Sequence, residues 1–166
     1  MTPVPAVPAW TDLDPGFAAR LPDAHARLRE GGLVVHRAVA QVVLHGSRGL
    51  AGGCRPDSDI DLSLIIDASP MDREALGSLL AEVIATTHGA WRGSVELDLV
   101  AVFDVRGCGL GCFDVVAWGA DAVCPVGSGR DCFGAYKLQR GFGGFVENAG
   151  IEVRRMQPCL AVWRRA

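Results

Sequence analysis

The chain has 166 residues, a net charge of −3, an apolar fraction of 49% and a charged fraction of 21%. That length suits one domain, and folding at this size removes roughly 68–70% of the unfolded chain's surface from water, enough for one sizeable core. The composition argues against a disordered chain, and the charge supplies no global attraction to nucleic acid or to an anionic membrane.

In chain order, residues 1–9 are Pro-rich and read as a flexible lead-in, without the basic and apolar regions of a secretory signal. No run approaches 18 uninterrupted apolar residues, so no membrane span is expected. The six cysteines are accordingly expected to be reduced, in a cytoplasmic protein. Cys108, Cys112, Cys124 and Cys132 lack paired CxxC spacing and read as small buried hydrophobes rather than zinc ligands.

Between Asp14 and Glu30, Phe17, Leu21, Ala24 and Leu28 recur at helical spacing, with Pro22 as an interruption and Gly31-Gly32 as a stop. Gln41–His45 is a Val-rich run ending at Gly46-Ser47, the pattern of a buried strand entering a turn. A Gly-rich loop, Arg48 to Ser58, leads to a second strand, Asp59–Asp67. From Pro70 to about His88 the stripe Leu76, Leu79, Leu80, Val83 and Ile84 predicts a helix, and Val95–Phe103 a third strand. Beyond Asp104 the signals weaken: Phe113–Ala117, Ala122–Val126 and Leu160–Trp163 read as strands, Tyr136–Gln139 as a short helix or loop. Arg154, Arg155, Arg164 and Arg165 read as a solvated, charged tail. Strands alternating with helices predict an α/β (α+β) fold, a small mixed sheet with helices packed on it.

Asp59 and Asp61 stand two apart on the second strand, so their carboxylates share a face. Such a pair persists when a cation lies between the groups or when one keeps its proton. Magnesium is the natural partner, because it takes one or two carboxylates plus substrate phosphates. Gly46 lets backbone approach a phosphate closely, and the Ser47 hydroxyl can donate to phosphate oxygens. Asp98, with Glu96 two residues earlier, joins the first pair if the third strand lies beside the second.

The run LHGSRGLAGGCRPDSDIDLSLIID (Leu44–Asp67), followed by VELDLV (Val95–Val100), resembles the signature of the DNA polymerase β-like nucleotidyltransferase superfamily, in its small stand-alone members called minimal nucleotidyltransferases. The resemblance covers roughly residues 40–103: a GS turn, a DxD strand, and a later strand with one more acid. It implies a nucleotidyltransferase core over 10–107, with 108–166 as a C-terminal extension packed on it. It further implies that Gly46 and Ser47 contact the triphosphate, and that Asp59 and Asp61 hold two magnesium ions. Asp98 would complete the metal site or act as general base. Arg48, by its position, is a candidate phosphate clamp. The implied reaction moves a nucleoside monophosphate, with ATP the default donor, onto a protein side chain, an RNA end or a small hydroxylated molecule. The alternative is an antitoxin-like module that keeps the nucleotide pocket and masks a helical toxin without turnover.

Three other readings complete the set. His45 reads as a hydrogen-bonded strand residue beside the turn, and Ser58 as an organiser of the loop. Phe133, Tyr136, Phe142 and Phe145, near Lys137 and Arg140, read as a packed segment closing the sheet or as a base-stacking surface.

Overall fold

The computed structural model describes residues 6–67, 72–105, 110, 133–139, 142–146 and 159–166. Helix α1 (Pro15–Arg20) starts where the Asp14 side chain accepts the Gly16 N–H at 2.8 Å, with Pro15 at a position that needs no N–H. Helix α2 (Pro22–Glu30) follows at once, so Pro22 divides the amphipathic stretch into two helices. Helix α3 (Arg73–Ala90) is capped by Asp72, which accepts the Ala75 N–H at 2.8 Å. It ends with the Arg92 guanidinium donating to the Gly89 and Trp91 carbonyls, both at 2.8 Å.

The strands are β1 (Ala6–Val7), β2 (Val35–His36), β3 (Val39–His45), β4 (Ile60–Ile66), β5 (Leu97–Asp104), β6 (Phe133–Gln139), β7 (Phe142–Val146) and β8 (Leu160–Arg164). Among the described residues β1 and β2 form a two-stranded ribbon, and the rest form one mixed sheet in the order β7-β6-β5-β4-β3-β8. Only β4 and β5 run parallel. Parallel neighbours need a crossover, and α3 is the element between them in the chain.

The two faces of the sheet have different fates. Val42 and Leu44, Leu62 and Leu64, Leu99 and Ala101 join Phe17, Ala24, Leu28, Leu80, Val83 and Ile84 in the main core. The helices therefore cover that face. The alternate residues Val43, Ile65 and Val102 belong to a separate, smaller cluster with Leu110 and Cys159. His45, Asp61, Ser63 and Asp98 have the parity of this second face, opposite the helices.

Four expectations change here. The boundary expected after residue 107 does not divide the sheet, because β6, β7 and β8 all come from the expected extension. Strand β8 pairs with β3 and β6 with β5, so the described residues of the C-terminal segment supply both edges of the sheet. Residues 6 and 7 of the lead-in are held by pairing with His36 and Val35. Tyr136–Gln139 lies within β6, neither helix nor loop. Gly134 permits this strand: a Cβ there would strike the Phe103 ring opposite it. Of the arginines read as a tail, Arg165 is tied in, its guanidinium donating to the Arg37 carbonyl and pairing with Asp67 at 3.3 Å. The strands expected at 113–117 and 122–126 lie outside the described residues, as do Cys108, Cys112, Cys124 and Cys132.

Candidate functional site

Three strands bring the polar groups together. His45, at the end of β3, stands opposite Asp61 of β4, and Asp61 stands opposite Asp98 of β5. One same-face step along the strands, Val43, Ser63, Val100 and Lys137 form the next row. The expectation that Asp98 falls beside the first pair thus holds, because β4 and β5 are neighbours in this register.

The Asp61 carboxyl is pushed up to about 6, first by burial, then by its hydrogen bond to Asp98 and by the negative charges of Asp98 and Asp59, with Lys137 opposing. Asp59 itself is exposed, one residue before β4. Asp98 is half-buried and its Oδ1 lies 3.0 Å from the Lys137 ammonium, which donates a hydrogen bond to Oδ2 at 3.3 Å. Oδ1 is buried and receives no aligned hydrogen bond. His45 Nε2 and Ser63 Oγ are 2.7 Å apart, and burial lowers the His45 imidazole to about 4, so it is neutral at pH 7.

Gly46 turns the chain away from β3 with φ of +70°. Its missing side chain matters twice: other residues are strained in this conformation, and a Cβ would collide with the Asp61 carboxyl. The turn closes with the Gly49 N–H donating to the Gly46 carbonyl at 3.0 Å. Ser47 is partly exposed within it, one residue after the glycine that lies against Asp61.

Arg48 goes elsewhere. Its residue is 4% exposed. Nε donates to the Ser58 carbonyl at 2.8 Å, and Nη2 to those of Arg55 and Pro56 at 3.1 and 3.0 Å. Nη1 reaches Asp23 at 3.3 Å. The guanidinium expected to clamp phosphate instead holds the loop of residues 49–58 against the body of the protein. Ser58 has its expected role, accepting the Arg55 N–H on its hydroxyl at 2.8 Å. Glu96 is exposed, and its carbonyl accepts the Ile60 N–H at 3.0 Å. Cys54 is an exposed thiol in the same loop.

Sequence reasoning missed Lys137 as a member of the site and the pairing of His45 with Ser63. The period-2 parity of Ser63 with Asp61 was available as a signal. The partner of Asp98, 39 residues further on, was not.

Among the described residues no group of three or more His, Cys, Asp or Glu side chains is assembled to enclose a metal ion. Magnesium does not require one, since it is commonly held by one or two carboxylates together with substrate phosphates and water. The donor set fits that mode. Asp61 and Asp98 are all-oxygen ligands in mutual contact, a proton on Asp61 relieves their repulsion only below about pH 6, and Asp98 Oδ1 has acceptor capacity to spare. An open hollow lined by Arg73, Glu74, Gly77, Ser78 and Ala81 lies along α3, on the helix side of the sheet.

Set against known proteins, the chain matches no family model, no curated protein and no solved structure. No helix among the described residues is long and apolar enough to cross a membrane.

The two shifted groups give opposite pH dependences in the metal-free protein. The unfolded chain protonates His45 near 6.5 and the fold only near 4, so stability is lost as pH falls through that window. Asp61 keeps its proton to about 6 in the fold but only to 3.8 when unfolded, so its contribution is present at low pH and lost as pH rises to 6. Asp61→Asn removes the second effect alone. Solvent screening at this partly exposed carboxyl leaves a gain of about 1 kcal/mol, or roughly 2–4 °C in Tm, at pH 7. The variant should also lose stability more steeply than the wild type between pH 6.5 and 4. Melting curves in a chelator across that range check both; parallel curves would contradict the opposed pair.

Proposed function

We propose that the chain is a magnesium-dependent nucleotidyltransferase of the polymerase β-like fold, acting in the cytoplasm. It transfers a nucleoside monophosphate, with ATP the default donor, to an acceptor hydroxyl. The observation that carries this reading is the in-register contact of Asp61 with Asp98 across parallel strands, with the Gly46 turn against the Asp61 carboxyl.

The residues divide the work as follows. Gly46 and Ser47 receive the triphosphate: the turn has no side chain at its closest approach, and the Ser47 hydroxyl donates to a phosphate oxygen. Asp61 and Asp98, with Asp59 at the rim, hold magnesium, which when bound neutralises charge on the phosphate oxygens and the leaving group. Asp98 accepts the acceptor hydroxyl's proton as its oxygen bonds to the α-phosphorus. The bond from the α-phosphorus to the bridging oxygen breaks, and pyrophosphate leaves with that electron pair. Arg48 is left out of phosphate binding in this reading, since Nε and Nη2 donate to loop carbonyls and Nη1 to Asp23.

One observation favours a second reading. Lys137 already neutralises Asp98 without any ion, as suits an antitoxin-like module that binds a partner and does not turn over. Incubation with triphosphates labelled at either the α- or the γ-phosphate, in magnesium and cell extract, separates the two. Transfer of the α label alone, absent with Asp61→Asn, is the expected result. Retention of bound nucleotide without transfer of either label would favour the binding module.

A further inference from the structure

The resemblance does not account for Lys137. Strand β6 pairs with β5 so that Lys137 stands opposite Val100, one same-face step from Asp98. The diagonal separation between such positions is about 7–8 Å at the backbone, which a lysine stem spans. The ammonium arrives 3.0 Å from Oδ1 and 3.3 Å from Oδ2 of Asp98. Both side chains are mostly buried, 29% and 19% exposed, so bulk salt screens the pair less than a surface pair. An ammonium and a divalent cation therefore seek the same carboxylate at short range.

We propose that Lys137 is the resident counter-cation of this site and couples divalent-ion binding to triphosphate binding. The inference rests on the nucleotidyltransferase reading above and adds a residue and an order of events to it. In the absence of triphosphate, an ion entering between Asp61 and Asp98 meets the Lys137 charge and must displace it from its partner. When a triphosphate is present, its oxygens give the displaced ammonium a new anionic partner. Ion and triphosphate then bind together far better than either binds alone, and each raises the affinity for the other by the same factor. Lys137 is thus a positioning residue, and the arrangement prevents a bare ion from saturating the site.

The test is calorimetric titration of the full chain with Mn²⁺, alone and with an ATP analogue bearing a methylene bridge between the α- and β-phosphates. In the wild type the analogue should tighten Mn²⁺ binding by roughly tenfold or more, within the usual range of coupling between sites. Lys137→Gln should bind Mn²⁺ alone about tenfold more tightly than the wild type, with most of the coupling gone. Lys137→Arg should bind Mn²⁺ alone more weakly than the wild type, because its fork grips a carboxylate at two points. These opposite directions keep the outcome decisive if either variant is poorly folded. Wild-type Mn²⁺ affinity and coupling in both variants, with binding lost in Asp98→Asn, would make Lys137 a structural ion pair and overturn the inference alone. Binding of neither Mn²⁺ nor analogue by any form would remove the nucleotidyltransferase reading and this inference with it.

Discussion

Under the proposed nucleotidyltransferase reading, Gly46→Ala is expected to reduce nucleotidyl transfer by about 100-fold or more while leaving the protein folded at 25 °C. The φ of +70° costs a residue with a side chain about 1–2 kcal/mol. The new Cβ would also occupy the place of the Asp61 carboxyl, so Asp61 must move or the turn must open. Displacement of a catalytic group by about 1 Å can lower turnover about 100-fold, since reaction depends on alignment with the α-phosphorus. The accompanying fall in Tm should be roughly 2–8 °C for a chain of this size. Kinetics and a melting curve on the same preparation check both parts. Full activity in the variant would show that the turn does not govern Asp61.

The largest loss of stability is expected at Arg48. Its guanidinium satisfies three backbone carbonyls in a loop that has no sheet or helix of its own, and it is buried while doing so. Loss of Arg48 takes the donor from the Pro56 and Ser58 carbonyls, while that of Arg55 still accepts the Ser58 N–H at 3.0 Å. Each carbonyl left without a partner costs about 1–3 kcal/mol where water cannot replace the donor. The Asp23 partner adds little, since its side chain is 71% exposed. Arg48→Met should therefore destabilise by about 3–5 kcal/mol and raise amide exchange across residues 49–58 before the rest of the chain. Arg48→Lys should recover only a minor part, because one ammonium does not reproduce three donors held in a planar fork. A drop of less than about 1 kcal/mol in Arg48→Met would mean that the loop is held by other contacts.

How far the sequence discloses this arrangement depends on the range of the interactions concerned. Strands β3, β4 and β5 and helix α3 were legible because each has its own apolar period, with Gly46 after β3 and Asp72 before α3. Pairing of Asp61 with Asp98 followed once β4 and β5 were taken as neighbours. Strand β6 was not legible. Its run FGAYKLQ has a glycine where a strand normally packs a side chain, and that glycine is explained only by the Phe103 ring across the ladder. Lys137 was hidden for the same reason, its role being fixed by a register between strands 39 residues apart. Arg48 is placed by contacts that its position does not announce. An arginine after a glycine-serine turn suggests phosphate, but the carbonyls of Arg55, Pro56 and Ser58 turn inward and draw the guanidinium with them. The N-terminal strand follows the same logic, β1 being defined by its partner elsewhere in the chain, whereas β8 was legible from its own apolar run Leu160–Trp163.

The most direct test of the central claim is calorimetric titration with ATP, GTP, CTP and UTP, each with and without magnesium, on the wild type and on Asp59→Asn/Asp61→Asn. The account predicts magnesium-dependent binding of at least one triphosphate by the wild type and its loss in the double variant, with the variant folded. Absence of triphosphate binding by the wild type, or equal binding by the variant, would contradict it.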